Sequence, residues 1–190
     1  MVKYISVWGY SIPVNTISKE EIEYLTNLPQ FLPKIEWLWA EMDRIWDKFS
    51  LCNKRSLVGQ PVAKFYRHPV WLINGIFSAV DSTSAAHRHA IALYLSNSPA
   101  KKIADFGGGF GSLARAITNA NENSKVDILE PYPSHLSVAL FKENPSIKFV
   151  KNLDYDHYDA VIAQDVLEHV EDSIYLASQI ASAARLNGKI

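Results

Sequence analysis

Between residues 103 and 112 the chain reads Ile-Ala-Asp-Phe-Gly-Gly-Gly-Phe-Gly-Ser. A carboxylate, Asp105, thus stands two residues ahead of a run holding four of the eight glycines. Glycine removes side-chain bulk and opens positive φ, so the backbone can come close to a bound molecule. A helix that begins at once, at Ser112, offers unpaired amides to an electron-rich group. A tight turn alone needs fewer glycines. Twenty-five residues after Asp105, at the end of a short apolar run, stands a second carboxylate, Glu130, followed by Pro131. An acid at that distance from a bare loop suits the hydroxyls of a ribose.

Two readings of this arrangement compete. Gly109-x-Gly111-x-x-Ala114, with Glu130 about twenty positions on, matches the dinucleotide-binding fingerprint and points to an NAD-type nucleotide-dependent oxidoreductase. Asp105 opposes it: a carboxylate at the mouth of the loop would repel a pyrophosphate, but suits a ligand carrying an ammonium group and a positive sulfur. Here the chain resembles the class I S-adenosylmethionine-dependent methyltransferases, whose first motif, Asp-x-Gly-x-Gly-x-Gly, is matched by Asp105, Gly107, Gly109 and Gly111. Val126-Asp127-Ile128-Leu129-Glu130-Pro131 resembles the family's second strand and its ribose acid. Tyr158 to Asp165 resembles the fourth strand, and Val166-Leu167-Glu168-His169-Val170-Glu171-Asp172 the Leu-Glu-His-Val segment that follows it. The resemblance covers residues 85–190.

The resemblance implies S-adenosyl-L-methionine as cofactor and Asp105, Phe106, Gly107, Gly108, Gly109, Glu130, Pro131, Gln164 and Asp165 as the residues that hold it. Glu130 would take the ribose hydroxyls, and Gly107 to Gly109 would lie against the methionine portion. The implied reaction moves a methyl group to an oxygen or nitrogen of a small-molecule acceptor. Such an in-line displacement needs alignment more than covalent chemistry, and orientation can supply ~7–11 kcal/mol. His169 is the candidate general base; a structural role, bonding the neighbouring loop, is the alternative. The His87-Arg88-His89 cluster reads either as part of the cleft or as a solvated helix start. Tyr66, Arg67 and His68 read as part of a lid. No His/Asp/Glu group has the spacing of a metal site. One departure concerns the adenine: the short stretch Lys151 to His157 puts Leu153 where the family carries an acid, so no adenine contact is assigned.

Positioning these residues requires a sheet. From Lys101 the pattern alternates strand, turn and helix: strands at Ile103–Phe106, Val126–Leu129, Ile147–Val150 and Ala160–Gln164, helices at Ser112–Asn119 and Ser134–Asn144. Such alternation means parallel strands with crossover helices, an α/β Rossmann-like sheet; the resemblance gives its strand order as 3-2-1-4. A last helix from Ser173 is expected to end at an Asn187-Gly188 cap. Gly188-Lys189-Ile190 then looks like a turn into a strand that does not follow, leaving an apolar edge that folded proteins avoid. The chain is therefore expected to be the front part of a longer protein, the alternative being a short variant with a covered edge. In that case a non-catalytic cofactor-fold interaction module is a third functional reading.

The first half reads as helices, forming an N-terminal extension or lid over residues 1–83 ahead of a core at 84–190. Ser18 and Glu21 form a capping box, Pro33 suits a first helical position, and Ile35, Leu38, Trp39, Met42, Ile45, Trp46 and Phe49 make one apolar stripe. Further helices are expected at Pro69–Val80 and Ser84–Leu95. The whole has 190 residues, 48% hydrophobic and 21% charged, with a net charge of −1. Those values exclude disorder and argue against nucleic acid as a partner. No stretch is long enough to span a bilayer, the start lacks a signal peptide's apolar core, and the single cysteine, Cys52, fits a reducing compartment. A cytoplasmic protein is expected.

Overall fold

The computed structural model describes residues 3–52 and 59–190. It opens with a two-stranded antiparallel hairpin, β1 (Tyr4–Val7) and β2 (Tyr10–Pro13), where the sequence reading expected only helices. The turn is Trp8-Gly9, both residues at positive φ. That geometry suits a two-residue hairpin, but a bulky Trp in the first position hides the usual Asn-Gly or Asp-Gly signal.

Four helices follow: α1 (Lys19–Thr26), α2 (Ile35–Lys48), α3 (Gln60–Tyr66) and α4 (Pro69–Val80). The Ser18 capping box is present in full, Ser18 Oγ accepting from Glu21 N at 3.1 Å and Glu21 Oε2 from Ser18 N at 2.6 Å. Pro33 is not in a helix: α2 starts two residues later, after an extended Lys34. Leu38 and Ile45 of the predicted stripe are fully buried, while Trp39 is 57% exposed and leaves it. Helix α4, Pro69–Val80 as its sequence predicts, is buried along most of its length and anchors a core shared with the hairpin, α1 and α2. Phe110, Leu136 and Leu140 join this core from the second half of the chain, so the N-terminal elements pack on the sheet domain.

Helix α5 (Ser82–Ser96), capped by Asp81, leads to the sheet. Its strands are β3 (Lys102–Phe106), β4 (Lys125–Leu129), β5 (Ile147–Val150), β6 (Tyr158–Ile162) and β7 (Ala184–Lys189). The connecting helices are α6 (Ser112–Ala120), α7 (His135–Phe141) and α8 (Ser173–Ala183). All strands are parallel, in the order β5-β4-β3-β6-β7. Counted from β3, the first four strands follow the expected 3-2-1-4 order, and a fifth lies beside the fourth. Ile103, Val126, Ile128, Ile147 and Ala160 fill the middle of this core almost without exposure.

Two boundaries differ from expectation. Strand β6 runs from Tyr158 to Ile162 rather than from Ala160 to Gln164, so Gln164 and Asp165 lie in the loop beyond it. Helix α8 stops at Ala183, and the residues expected to complete it and its cap form a further strand, β7. Asn187 has φ 67°, and a Cβ on Gly188 would lie 2.8 Å from the Arg185 carbonyl oxygen. The Asn-Gly pair that reads as a helix cap here makes an irregularity inside a strand, since both features call for a left-handed or unbulky residue.

Candidate functional site

The glycine loop leaves the carboxyl end of the central strand β3 and enters α6 at Gly111. Gly107 and Gly109 both take left-handed conformations, φ 71° and 49°, which a residue with a Cβ adopts at a cost of about 1–2 kcal/mol. The two differ in what surrounds them. A Cβ on Gly107 would lie 2.5 Å from Val166 Cγ2, so the segment after β6 rests on the loop there. A Cβ on Gly109 would meet nothing closer than the Gly107 carbonyl oxygen at 3.9 Å and Glu130 Oε2 at 4.0 Å.

Glu130 ties this loop to the next. Its Oε2 accepts from Gly109 N and its Oε1 from Tyr132 N, each at 3.1 Å. Burial raises the pKa of its carboxyl above the ordinary glutamate value, and the two amide bonds oppose that shift. A carboxylate held this way keeps lone pairs for further donors.

Asp105 is not at the mouth of the loop, where the sequence reading put it. It is 2% exposed, inside the central strand, and its Oδ2 is buried without a hydrogen-bond partner among the described residues. A Cβ on Gly108 would come within 2.5 Å of that oxygen, so the carboxyl lies directly beneath the loop backbone. Burial first, and the Glu130 charge second, push its pKa up to about 7. The correction follows from strand alternation: Asp105 points into the layer under the loop.

The other predicted residues fall on the same edge of the sheet. Phe106 ends β3 and is half-buried, and Pro131, exposed, follows Glu130. Gln164 and Asp165 are exposed in the loop after β6, Asp165 at φ 54°. His169 closes a short 3-10 turn, Leu167–His169; its amide donates to the Val166 carbonyl at 3.0 Å and its side chain is exposed. Leu153 packs beside the β6–α8 core, and the neighbouring Asp154 faces His157 at 3.6 Å.

Sequence reasoning missed Tyr132 and Val166. Tyr132 stacks on Tyr66 at 5.6 Å and 8° between planes, and the Arg67 guanidinium lies 5.1 Å from the Tyr132 ring centre. Burial and then the Glu130 charge raise the pKa of Tyr66. Of the three residues expected to form a lid, Tyr66 and Arg67 lie against Tyr132. His68 does not: it caps α4, accepting from Val70 N at 3.1 Å, and packs edge-on against Tyr24 and Phe49. The aromatic pair Tyr66 and Tyr132 was the only available signal, since residues 66 apart in sequence carry no periodicity. On α4, a Cβ on Gly75 would lie 2.8 Å from the Phe110 side chain, so the helix presses on the middle of the loop.

No protein-family model and no curated protein sequence matches this chain. Solved structures do match its fold. An O-methyltransferase family protein from Burkholderia thailandensis superposes with a TM-score of 0.59 at 13% identity, over 90% of this chain and 56% of its own. The plantazolicin methyltransferase BpumL, solved with a pentazolic desmethylPZN analog and SAH, gives a TM-score of 0.50 at 14% identity over 76% of this chain and 57% of its own. The chain thus spans just over half the length of these two proteins. Its fold is that of the class I methyltransferases. Among the described residues no helix is long and apolar enough to cross a membrane.

Gly109→Ala is expected to cost about 1–2 kcal/mol of stability through φ alone, because its methyl meets open space. The same methyl would narrow the open space beside Glu130 Oε2, where a ligand of that carboxylate is expected. Thermal unfolding together with calorimetry should show a modest stability loss and a larger affinity loss. Affinity that follows stability alone would mean that the space beside Gly109 is unused.

Proposed function

We propose that the chain binds S-adenosyl-L-methionine across the glycine loop and Glu130 and transfers its methyl group to an oxygen or nitrogen of a small-molecule acceptor. The observation that supports this best is Glu130, which bridges the two loops at the carboxyl ends of β3 and β4, where open α/β sheets bind ligands. Residues 84–190 are the cofactor-binding core in this reading, and residues 1–83 the segment that closes it.

The residues present fit such a cofactor. Glu130 has acceptor capacity left for ribose hydroxyls, the space over Gly109 is clear, and the buried Asp105 Oδ2 lacks a partner among the described residues and suits a cationic ligand nearby. The bound cofactor supplies an electrophilic methyl on a positive sulfur. The chain's own task is alignment: Phe106 to Gly109, Pro131, Gln164 and Asp165 border the cradle, and Tyr66 and Tyr132 wall it. His169 is the side chain we assign to take the proton from the acceptor.

Calorimetry with S-adenosylhomocysteine and with NAD tests the assignment. S-adenosylhomocysteine is expected to bind and NAD not to. The reverse outcome would favour the oxidoreductase fingerprint at Gly109, Gly111 and Ala114. Binding of S-adenosylhomocysteine without methyl transfer to any acceptor would favour the non-catalytic module.

A further inference from the structure

One cavity among the described residues lies away from Glu130. It is a groove of about 450 Å³ along the outer face of α6, running from Phe110 at the start of the helix to Asn119 near its end, with α5 as the opposite wall. That volume is within the range of small-molecule sites, about 300–1,000 Å³.

Its chemistry is one-sided. Arg88, His89 and Arg115 face the groove, and none of its lining residues is acidic, although the chain carries twenty acids against nineteen bases. Neither guanidinium forms an ion pair among the described residues. Arg88 donates to Ser78 Oγ at 3.0 Å, and the acid that acts on it, Asp81, is engaged in capping α5. Burial is the larger influence on Arg88 and disfavours its charge. Arg115 lies 5.1 Å above the Phe141 ring, which holds its planar fork in place over an apolar wall. Tyr10 and Phe110, in edge contact at 5.6 Å, close the upper end.

Two guanidiniums without carboxylate partners, beside three aromatic rings in one concave surface, call for an anion with a flat apolar body. We propose that this groove binds a small aromatic molecule bearing an oxyanion, at a site separate from the cradle around Glu130. The His87-Arg88-His89 cluster thereby gains a role for Arg88 and His89, while His87 does not line the groove. The inference does not depend on which cofactor the glycine loop takes. Phe110 alone belongs to both the loop and the groove.

Calorimetry at low ionic strength with 2-naphthoate and its neutral counterpart 2-naphthamide provides the test. The naphthoate is expected to bind about tenfold or more tighter than the amide. Arg115→Gln and Arg88→Gln should each remove about tenfold of the naphthoate affinity and leave the amide unchanged, and Arg115→Lys should recover part of the loss. Equal affinities for the two probes, no naphthoate binding at millimolar concentration, or full affinity in Arg115→Gln would each overturn the proposal. Because Arg115 is exposed and its side chain forms no hydrogen bond among the described residues, its variant remains decisive if Arg88→Gln unfolds.

Discussion

Glu130→Ala is expected to weaken S-adenosylhomocysteine binding about a hundredfold while leaving the sheet folded. Two charge-assisted hydrogen bonds to ribose hydroxyls, at roughly 1.5 kcal/mol each as a lower figure, amount to about that factor. The loss has a second component. Without the carboxylate, Gly109 N and Tyr132 N lose the acceptor that now fixes the two loops relative to each other. Glu130→Gln separates these components, since its amide oxygen can still accept from one loop amide while its NH₂ group cannot accept from a hydroxyl. Far-UV circular dichroism and calorimetry on both variants make the comparison. Wild-type affinity in Glu130→Ala would remove this residue from the site.

The second large effect concerns stability. Asp105 has its pKa pushed up to about 7 in the folded chain, against about 3.9 in an unfolded one. Between those values the folded state holds a proton that the unfolded state has released. Stability contributed by this group is therefore full below pH 4 and falls as pH rises to 7, by about 4 kcal/mol over the whole window. Asp105→Asn has no such proton. The difference in unfolding free energy, variant minus wild type, is expected to grow through this window and level off above it, leaving the variant the more stable protein at pH 8. The expected cost is functional: an amide cannot oppose a positive sulfur, so S-adenosylmethionine should lose affinity at pH 8 relative to S-adenosylhomocysteine. Parallel pH curves for the two proteins would show that Asp105 is ionised and satisfied in the folded state.

The α/β half was largely legible because its signals are local. Short apolar runs between turn residues located β3, β4 and β5, and the glycines marked the loop between β3 and α6. Asp105 illustrates the limit. Its type and spacing were visible, but whether it faces a ligand or lies under the loop depends on strand alternation relative to a layer the sequence does not draw. The shift of β6 had the same origin: Tyr158, fully buried with its hydroxyl donating to Asp127 at 3.1 Å, starts the strand two residues earlier than its apolar run. Tyr66, at the end of α3, and Tyr132, in the loop after β4, meet only in the folded chain, and their aromatic type alone could not have paired them. The β1–β2 hairpin escaped notice because its turn uses Trp8, a residue rarely tolerated at positive φ.

Strand β7 borders β6 on one side, and no other strand lies beyond it among the described residues. A regular outer strand would offer a ladder of unsatisfied amides and carbonyls as a template for self-association. This one slips register against β6 between Tyr158 and Ala160, and it carries Arg185 and Lys189. A rim broken in register and carrying cationic side chains is a poor partner for a second flat strand, so the feature that misled helix assignment also makes β7 an unfavourable template for self-pairing.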